Sequence, residues 1–286
     1  MGKLAIHGAF SCFFIRNSLI LRSKSQSKVD TISKNTLKQV RSLSQRKFRL
    51  QEGEFVAEGN KLVQDNLQAM RCHRLVATAT WWQAHPEAEK LAEECLLISP
   101  QEMERLSLMQ SPQEVLGTFR IPSHLFDEKT IERLSEQLVI ALDEVQDPGN
   151  LGTIIRLCDW FGIRDIVCSP NTADCYAPKV VQATMGAIAR VRVHYTDLPA
   201  FVRKMRTRGV PVYGTFLEGE NIYRKELSDR GVIVMGNEGR GISTEVAAQV
   251  SDKLFIPPFP KDAMTSESLN VGIATAITVS EFRRRK

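Results

Sequence analysis

The second half of the chain, from Gln137 onward, alternates continuous apolar runs with segments of helical periodicity. The run LVIALDEV, which begins at Leu138, has the near-continuous apolar character of a strand buried on both faces of a parallel sheet. The segment LGTIIRLCDWFG follows with helical spacing and is predicted to stop at Gly162. DIVCSP, VRVHY, VPVYGTF and GVIVM are predicted as further strands separated by helices. Residues 137–286 are therefore expected to form an α/β domain with a parallel sheet.

The end of the chain predicts one long helix, in the segment SESLNVGIATAITVSEFRRRK. Ser268 and Asn270 stand at its start, where both residue types are good caps, and its basic end is favourable at a helix C-terminus. A short helix is predicted before it in STEVAAQV, with Ser243 as its N-cap.

Residues 30–121 show a similar alternation and predict a first, smaller α/β domain. Leu37, Val40 and Leu43 share one face of its first predicted helix. GEFVAEG predicts a strand, and NKLVQDNLQAM predicts the next helix. The polar and charged stretch at residues 122–136 is predicted to be a linker between the two domains.

Residues 1–29 contain no acidic residue, and we expect this N-terminal extension to be poorly ordered and to lie outside the fold. Its Arg- and Ser-rich composition resembles an organellar transit peptide, and sequence upstream of a later translation start is an open alternative. We expect a bacterial cytoplasm, with organellar targeting left open. No segment approaches the roughly 18 uninterrupted apolar residues of a membrane span, so no membrane partner is expected.

Composition changes this picture little, but the distribution of charge along the chain indicates a binding partner. Apolar residues make up 43% of the chain and charged residues 25%, as in ordinary globular proteins. The net charge of +5 is uneven: residues 1–50 hold eleven Lys and Arg against one acid, Asp30, and the remainder is slightly acidic. A basic N-terminal region on an acidic body indicates a polyanionic partner, most often nucleic acid.

The cysteines argue against a metal site. They are scattered through the chain and form no CxxC pair. Without such spacing a zinc site is not expected. Several cysteines lie inside apolar runs, as small buried hydrophobic residues of a reducing compartment do. The six are Cys12, Cys72, Cys95, Cys158, Cys168 and Cys175.

Three loops at predicted strand ends carry unusual residues: DEVQDPGN, MGNEGRG and IPPFPKDAMTSESLN. Ligands bind at the carboxyl ends of strands in open α/β sheets. No Walker loop is present, and the glycines at 236, 239 and 241 are in the wrong order for the dinucleotide fingerprint. Either glycine-rich loop alone could be an ordinary tight turn.

In order and spacing, the three loops together resemble the three motifs of the SpoU (TrmH-type) branch of the SPOUT RNA methyltransferases. Asn150, Gly152 and Arg156 carry the first motif, GNEGRGIS the second and SLNVGIATAITVSEF the third. The resemblance covers about the last 150 residues. FVAEGNKLVQD, in residues 30–121, resembles the ribosomal-protein-like substrate-binding domain that often precedes this catalytic domain.

The resemblance implies methyl transfer from S-adenosylmethionine to a ribose 2′-hydroxyl of RNA. It also implies a SPOUT sheet whose C-terminal part is tied in a trefoil knot, and a homodimer formed through helices of the catalytic domain. Ribosomal RNA is the expected substrate, because members with an extra N-terminal domain typically act on it. Transfer RNA is the alternative.

The resemblance assigns the reaction to Asn150, Arg156, Glu238, Ser268 and Asn270. Arg156 lies six positions after Asn150, about one and a half turns into the helix, and can reach back towards the strand end. The family proposal makes this arginine assist deprotonation. A guanidinium stays protonated, so gripping the RNA phosphate and stabilising alkoxide charge is a sounder role. An ion pair of Arg156 with Asp159 or Glu144 is the structural alternative.

The remaining assignments concern the cofactor and the RNA. By motif position, Gly236, Ile256 and Leu269 give main-chain contacts to the cofactor, and Thr215 lines its pocket. Glu238 is expected to hold Asn150 or Arg156. The loop after Ile256 is longer than usual for the family, and Pro258 stands where methionine is common. In the first domain, the basic cluster expected to bind RNA phosphates is Arg41, Arg46, Lys47 and Arg49.

Two rivals stay open from the sequence. A catalytically silent RNA-binding protein could keep the same fold, although the intact set from Asn150 to Asn270 argues against it. A nicotinamide-dependent Rossmann enzyme is disfavoured by the order of the glycines. Binding of S-adenosylmethionine separates both rivals from the methyltransferase.

Overall fold

The computed structural model describes residues 29–123, 126–260 and 266–284, which form two sheets with helices packed on them. The predicted N-terminal extension lies outside the described residues, except that Val29 already begins a strand. The strands are β1 Val29–Thr31, β2 Glu54–Glu58, β3 Cys72–Ala77, β4 Ala92–Leu97, β5 Val115–Arg120, β6 Leu138–Leu142, β7 Asp165–Cys168, β8 Arg192–Tyr195, β9 Val212–Asn221, β10 Gly231–Met235 and β11 Asp252–Phe255. The α-helices are α1 Lys34–Ser42, α2 Arg46–Glu52, α3 Asn60–Ala69, α4 Ala79–Ala84, α5 Pro100–Leu106, α6 Glu128–Ser135, α7 Pro148–Trp160, α8 Pro178–Thr184, α9 Leu198–Thr207, α10 Thr244–Ala247 and α11 Val271–Arg284.

The second sheet has the order β11-β9-β10-β6-β7-β8, and every pairing in it is parallel. The predicted parallel α/β domain is confirmed. Alternate residues of β6 face two different hydrophobic clusters, one beneath α7, α8 and α11 and the other beneath α6 and α9. This two-sided burial is why β6 is apolar at every position. Because β6 and β10 are neighbours, the loops that follow them emerge side by side.

The first domain is a mixed five-stranded sheet of order β1-β4-β3-β5-β2. Strands β1, β4 and β3 are parallel, and β5 runs antiparallel to both β3 and β2. The predicted face of the first helix is correct for Val40 and Leu43, which are buried, and Leu37 packs beside them. The prediction of a small α/β domain is confirmed.

The linker predicted at residues 122–136 is wrong in its second half, because α6 occupies residues 128–135 and packs on the second sheet. Ile131 and Leu134 of this helix are buried in the core of the second domain. Asp127 caps its start by accepting a hydrogen bond from the main-chain N–H of Thr130 at 2.9 Å. Ile131 and Leu134 are only two apolar residues among many charged ones, too few for the sequence to indicate a helix.

A buried carboxylate holds α6 to the sheet. Asp165, the first residue of β7, has a side chain with no solvent exposure. Arg133 of α6 donates two hydrogen bonds to it, at 2.7 and 3.0 Å. Arg192 of β8 donates two more, at 2.8 and 2.7 Å. His194 Nε2 lies 2.8 Å from the same carboxylate. One aspartate therefore joins a helix and two strands.

The two domains pack on each other closely. The ring of Phe55, in β2, lies 4.8 Å from that of Tyr176, in the loop before α8. Gly186 has φ +94°, and a Cβ there would lie 2.3 Å from Asp65 Oδ2 of the first domain. Glycine is therefore required for this close approach. The largest hydrophobic cluster contains residues of both domains and is continuous across the junction.

All five cysteines between residues 72 and 175 are buried. Burial raises the pKa of the Cys72, Cys158, Cys168 and Cys175 thiols. Cys12 lies outside the described residues. Within the described ranges, no helix is long and apolar enough to cross a membrane, and no group of three or more His, Cys, Asp or Glu side chains there could hold a metal ion.

Candidate active site

Three loops meet at the carboxyl edge of the second sheet. They are the β6 loop (residues 143–147), the β10 loop (residues 236–243) and the β11 loop (residues 256–270, of which 261–265 lie outside the described residues). Asn150 follows the first loop, Glu238 lies on the second and Asn270 ends the third. The amide of Asn150 donates to Glu238 Oε1 at 3.0 Å, and the amide of Asn270 donates to Asn150 Oδ1 at 2.9 Å. One hydrogen-bonded chain therefore joins the three sequence motifs.

Glu238 is held as a carboxylate. Burial would raise its pKa, but hydrogen bonds from the Asn150 amide and from nearby main-chain N–H groups outweigh burial and hold the pKa below its usual value. The main-chain donors include Gln146 at 3.3 Å and Asp147 at 3.2 Å. Of the two expected partners, Glu238 holds Asn150. A charged acceptor orients the Asn150 amide, so that its oxygen faces Asn270.

The capping of α7 and α11 leaves the side-chain amide groups of Asn150 and Asn270 available for the hydrogen bonds that join the three loops. Asn150 lies in the first turn of α7 but is not its cap: the N-cap is Asp147, whose Oδ1 accepts from the N–H of Asn150 at 2.8 Å. Asn270 does cap α11: its Oδ1 accepts from the N–H groups of Gly272 at 2.9 Å and Ile273 at 3.3 Å. Its Nδ2 remains to bind Asn150. Pro148 at the first turn fits the start of α7.

Arg156 is exposed on α7. The two acids suggested as its structural partners are bound elsewhere: Asp159 pairs with Arg190 at 2.8 Å, and Glu144 pairs with Arg240. Within the described part of the chain, the guanidinium of Arg156 has no ion-pair or hydrogen-bond partner. An arginine that makes no contact within the fold is available to an external anion.

A pocket of about 1060 Å³ opens beside this chain of hydrogen bonds. Thr215, Gly236, Ile256 and Leu269, the four residues predicted to contact the cofactor, all line it. Glu238 and Ser268 also line it, so it adjoins the Asn150–Asn270 pair. Its volume is slightly above the usual range for small-molecule sites, about 300–1,000 Å³, so it has room for a ligand of cofactor size.

Gly236 gives the β10 loop its shape. The main chains of Asn237 and Gly241 exchange two hydrogen bonds of 2.9 Å, which fold the loop back on itself. A Cβ on Gly236 would lie 2.3 Å from the main-chain carbon of Gly241. Only glycine fits this approach, and the fold leaves the main chain of the loop against the pocket.

The basic cluster of the first domain needs one correction. Arg41, Arg46 and Lys47 are exposed, as a phosphate-binding role requires. Arg49 is 3% exposed and pairs with Asp174 of the second domain at 2.6 Å. It also donates to the carbonyls of Leu43 and Ser44 at 2.8 and 2.9 Å. Arg49 therefore stabilises the contact between the two domains and is not available to RNA.

Sequence reasoning missed three residues that shape the site. Asp143 is buried, and its Oδ2 accepts from the N–H of Ser243 at 2.7 Å, which fixes the end of the β10 loop. Asn237 donates to the Glu144 carbonyl at 2.7 Å. The Asn-x-Gly spacing of residues 237–239 was the available signal, since asparagine side chains commonly bond the main chain two residues on. Glu144 was considered only as an ion-pair partner of Arg156, and nothing in the sequence indicated its contact with the β10 loop.

Two family models match the chain and divide it as the fold does. The SpoU rRNA Methylase family matches residues 137–280. The MRM3-like substrate binding domain matches residues 34–117. The first match covers the second sheet with all three loops, and the second covers the mixed sheet.

Individual relatives agree with these models. The 23S rRNA (guanosine(2553)-2′-O)-methyltransferase RlmP of Bacillus subtilis is 27% identical over 89% of this chain and 98% of its own. A structure from Porphyromonas gingivalis, assigned to the TrmH family, is 41% identical with a TM-score of 0.78 and covers 90% of this chain and all of its own. The structure of an AdoMet-bound rRNA methyltransferase from Sinorhizobium meliloti is 30% identical, with a TM-score of 0.77. The match covers 90% of this chain and 98% of the Sinorhizobium chain. The chain belongs to the SpoU rRNA methylase family.

Proposed function

We propose that this protein transfers a methyl group from S-adenosylmethionine to a ribose 2′-hydroxyl of ribosomal RNA. Family membership makes the chain an S-adenosylmethionine-dependent RNA 2′-O-methyltransferase and removes the nicotinamide alternative. The observation that carries the proposal is the series of hydrogen bonds from Glu238 through Asn150 to Asn270, which lies beside a pocket of cofactor size. The exposed Arg156 lies on the same helix as Asn150.

The pocket fits the cofactor chemically. Adenine is uncharged, and main-chain groups together with apolar side chains recognise such a ring. The main chains at Gly236, Ile256 and Leu269 would hold the adenosine, and Thr215 would line the pocket. The cofactor supplies a sulfonium methyl group, which is already activated for transfer, so the proposed reaction uses no metal.

When bound, S-adenosylmethionine would supply the methyl group; the 2′-hydroxyl oxygen would accept it and release its proton to solvent, and S-adenosylhomocysteine would be the other product. We assign Asn270 to positioning the hydroxyl, with Ser268 beside it at the pocket, and Asn150 to holding Asn270 in orientation. Arg156 binds the phosphate next to the target ribose and stabilises the negative charge that develops on the 2′ oxygen. Glu238 acts through Asn150.

The substrate class rests on the relatives and needs a direct test. The relatives include a 23S rRNA enzyme and an uncharacterized tRNA/rRNA methyltransferase of Synechocystis, so transfer RNA is the second candidate. We expect the purified protein, given radiolabelled S-adenosylmethionine, to label ribosomal RNA from a strain that lacks the gene. RNA from the parent strain should accept little label, because its site is already methylated. Labelling confined to transfer RNA would overturn the rRNA assignment.

A silent RNA-binding protein on the same fold is the remaining rival. Calorimetry with S-adenosylmethionine alone separates it from the enzyme, because the rival predicts no heat of binding. Binding without transfer to any RNA would support the cofactor assignment and contradict the reaction.

We propose that Arg41, Arg46 and Lys47 bind RNA phosphates. Replacing Arg46 and Lys47 by alanine is expected to lower RNA affinity and to reduce the slope of log K against log salt by about two, since each phosphate contact contributes about 0.9. Filter binding across a salt series measures the slope. Arg203→Ala/Arg206→Ala is the matched control, because α9 lies on the sheet face turned away from the first domain. Equal slopes for both variants would contradict the assignment.

We further propose a homodimer formed through α7 and α11. These helices pack together and carry exposed apolar side chains, including Trp160, which is 85% exposed, and Ile273. Such a surface on a catalytic domain suits a second copy better than solvent. Analytical ultracentrifugation measures the assembly directly. The trefoil knot stays a prediction from the family resemblance, and the cytoplasmic location stays a prediction from the sequence.

A further inference from the structure

Glu144 has a main-chain conformation that its residue type disfavours. It directly follows the buried Asp143 at the end of β6 and has φ +57°, in the left-handed region. Among the described residues, Met185 is the one other non-glycine residue with positive φ. A side chain in this region costs free energy that glycine would not, so the surrounding contacts must maintain it.

The polar groups of Glu144 are used to join three loops. Its main-chain N–H donates to Ser169 Oγ at 2.8 Å, in the loop after β7, and its carbonyl accepts from Asn237 at 2.7 Å. Its carboxylate accepts from the amide of Asn171, also after β7, at 2.8 Å. The other carboxylate oxygen accepts from the guanidinium of Arg240. The loops after β6, β7 and β10, which leave three adjacent strands, therefore meet at one residue.

We propose that Glu144 is a positioning residue that holds the β10 loop in the shape needed for cofactor binding and for the contact between Glu238 and Asn150. The inference rests on the proposed methyltransferase function. Two of the contacts of Glu144 are with the β10 loop, through Asn237 and Arg240, and Glu238 lies between them. Residues 236–242 line the pocket, so a displacement of this loop changes the pocket wall and the orientation of Asn150 together.

The position of Arg240 supports this role over ordinary solvation of the carboxylate. Its main-chain N–H and that of Gly239 both donate to Asn237 Oδ1 at 3.0 Å, so the loop is tied to the same asparagine that bonds the Glu144 carbonyl. The side chain of Glu144 is 26% exposed. An ion pair at this exposure adds little to global stability, so its removal should act on loop placement more than on folding.

Replacing Glu144 by glycine removes the main-chain strain and the carboxylate together, and two measurements separate their effects: the melting temperature reports the strain, and cofactor binding reports the lost contacts. We expect an unchanged or raised melting temperature, about a threefold to tenfold weaker Kd for S-adenosylmethionine, and a kcat lowered about tenfold. The KM for RNA should change by less than about twofold, because Glu144 touches no phosphate in this scheme. Glu144→Asn should behave alike, since asparagine tolerates the left-handed region without the flexibility of glycine.

Met185→Gly is the matched control. It relieves the same kind of strain at an exposed residue with no polar side chain, outside the site. We expect a raised melting temperature with unchanged cofactor affinity and activity. If Glu144→Gly and Met185→Gly give the same cofactor affinity and kcat as the wild type, the positioning role is wrong. A lower melting temperature for Glu144→Gly with unchanged kcat would identify a purely structural residue.

The Arg240 contact provides a second, independent measurement. If Glu144 acts through Arg240, then Glu144→Gln, Arg240→Ala and the double variant should weaken cofactor binding to a similar extent, and the effects should not add. Additive effects would contradict the coupling. Calorimetry with S-adenosylmethionine needs no RNA, so the result stands even if the substrate proves not to be ribosomal RNA.

Discussion

Replacing Arg156 by alanine is expected to lower kcat for methyl transfer by about 100- to 1000-fold, the usual cost of removing a group that stabilises developing oxyanion charge. S-adenosylmethionine affinity should stay at the wild-type value, because Arg156 does not line the pocket. Stability should also stay unchanged, since the guanidinium has no partner within the described fold. Single-turnover transfer to the RNA substrate, together with calorimetry on the cofactor, measures both quantities.

Two further variants sharpen this prediction. Arg156→Lys keeps the charge but loses the planar two-point contact with a phosphate, so an intermediate rate is expected. Arg203→Ala removes an exposed arginine from the opposite face of the sheet and should leave the rate unchanged. Transfer by Arg156→Ala at the wild-type rate would show that the assignment of Arg156 is wrong.

Replacing Asp165 by asparagine is expected to lower the free energy of unfolding by about 3 kcal/mol at pH 7, because breaking a buried ion pair leaves charges without compensation. Two arginines and His194 depend on this carboxylate. The estimate is at the lower end of the range because the arginines are partly exposed. Urea denaturation of the wild type and variant measures the difference.

The pH dependence of this difference has a definite sign. Burial would raise the pKa of Asp165, but hydrogen bonds from Arg192, His194 and Arg133 outweigh burial and hold the pKa well below its usual value. The stabilisation is therefore present above the unfolded pKa of about 3.8 and is lost as pH falls below it. The difference between wild type and Asp165→Asn should be largest near pH 7 and should shrink towards pH 3.

Glu136→Gln is the control for this experiment. Glu136 lies at the end of the same helix and forms an exposed pair with Arg230 at 3.1 Å. An exposed pair contributes less than about 1 kcal/mol, so this variant should unfold like the wild type at every pH. Equal stability of Asp165→Asn and wild type at pH 7 would contradict the role of the buried network.

The parts of the fold that sequence could predict are those set by local pattern. The uninterrupted apolar run of β6 indicated a parallel strand, and β6 lies at the centre of an all-parallel sheet. The three motifs stand at strand ends, and the ends of parallel strands share one edge. Their order therefore sufficed to bring Asn150, Glu238 and Asn270 together, although the direction of each hydrogen bond came only from the structure.

The parts that sequence could not predict depend on contacts distant in the chain. Arg49 stands in a basic cluster like its neighbours, and only Asp174, 125 positions away, makes it a buried junction residue. Residues 128–135 look like a polar linker until the sheet covers Ile131 and Leu134. Glu144 carries no local signal, because its left-handed conformation is maintained by Ser169, Asn171 and Asn237.

The shared core at the domain junction has a consequence for cooperativity. Because one hydrophobic cluster runs from Phe55 and Leu62 to Ile154 and Val180, neither domain buries its own apolar surface completely. A catalytic domain cut away from residues 29–121 would expose Tyr176 and Ile188, and would leave Asp174 without its buried partner. We therefore expect the two domains to unfold as one unit, so that the first domain completes the core of the protein in addition to the RNA-binding role proposed for it.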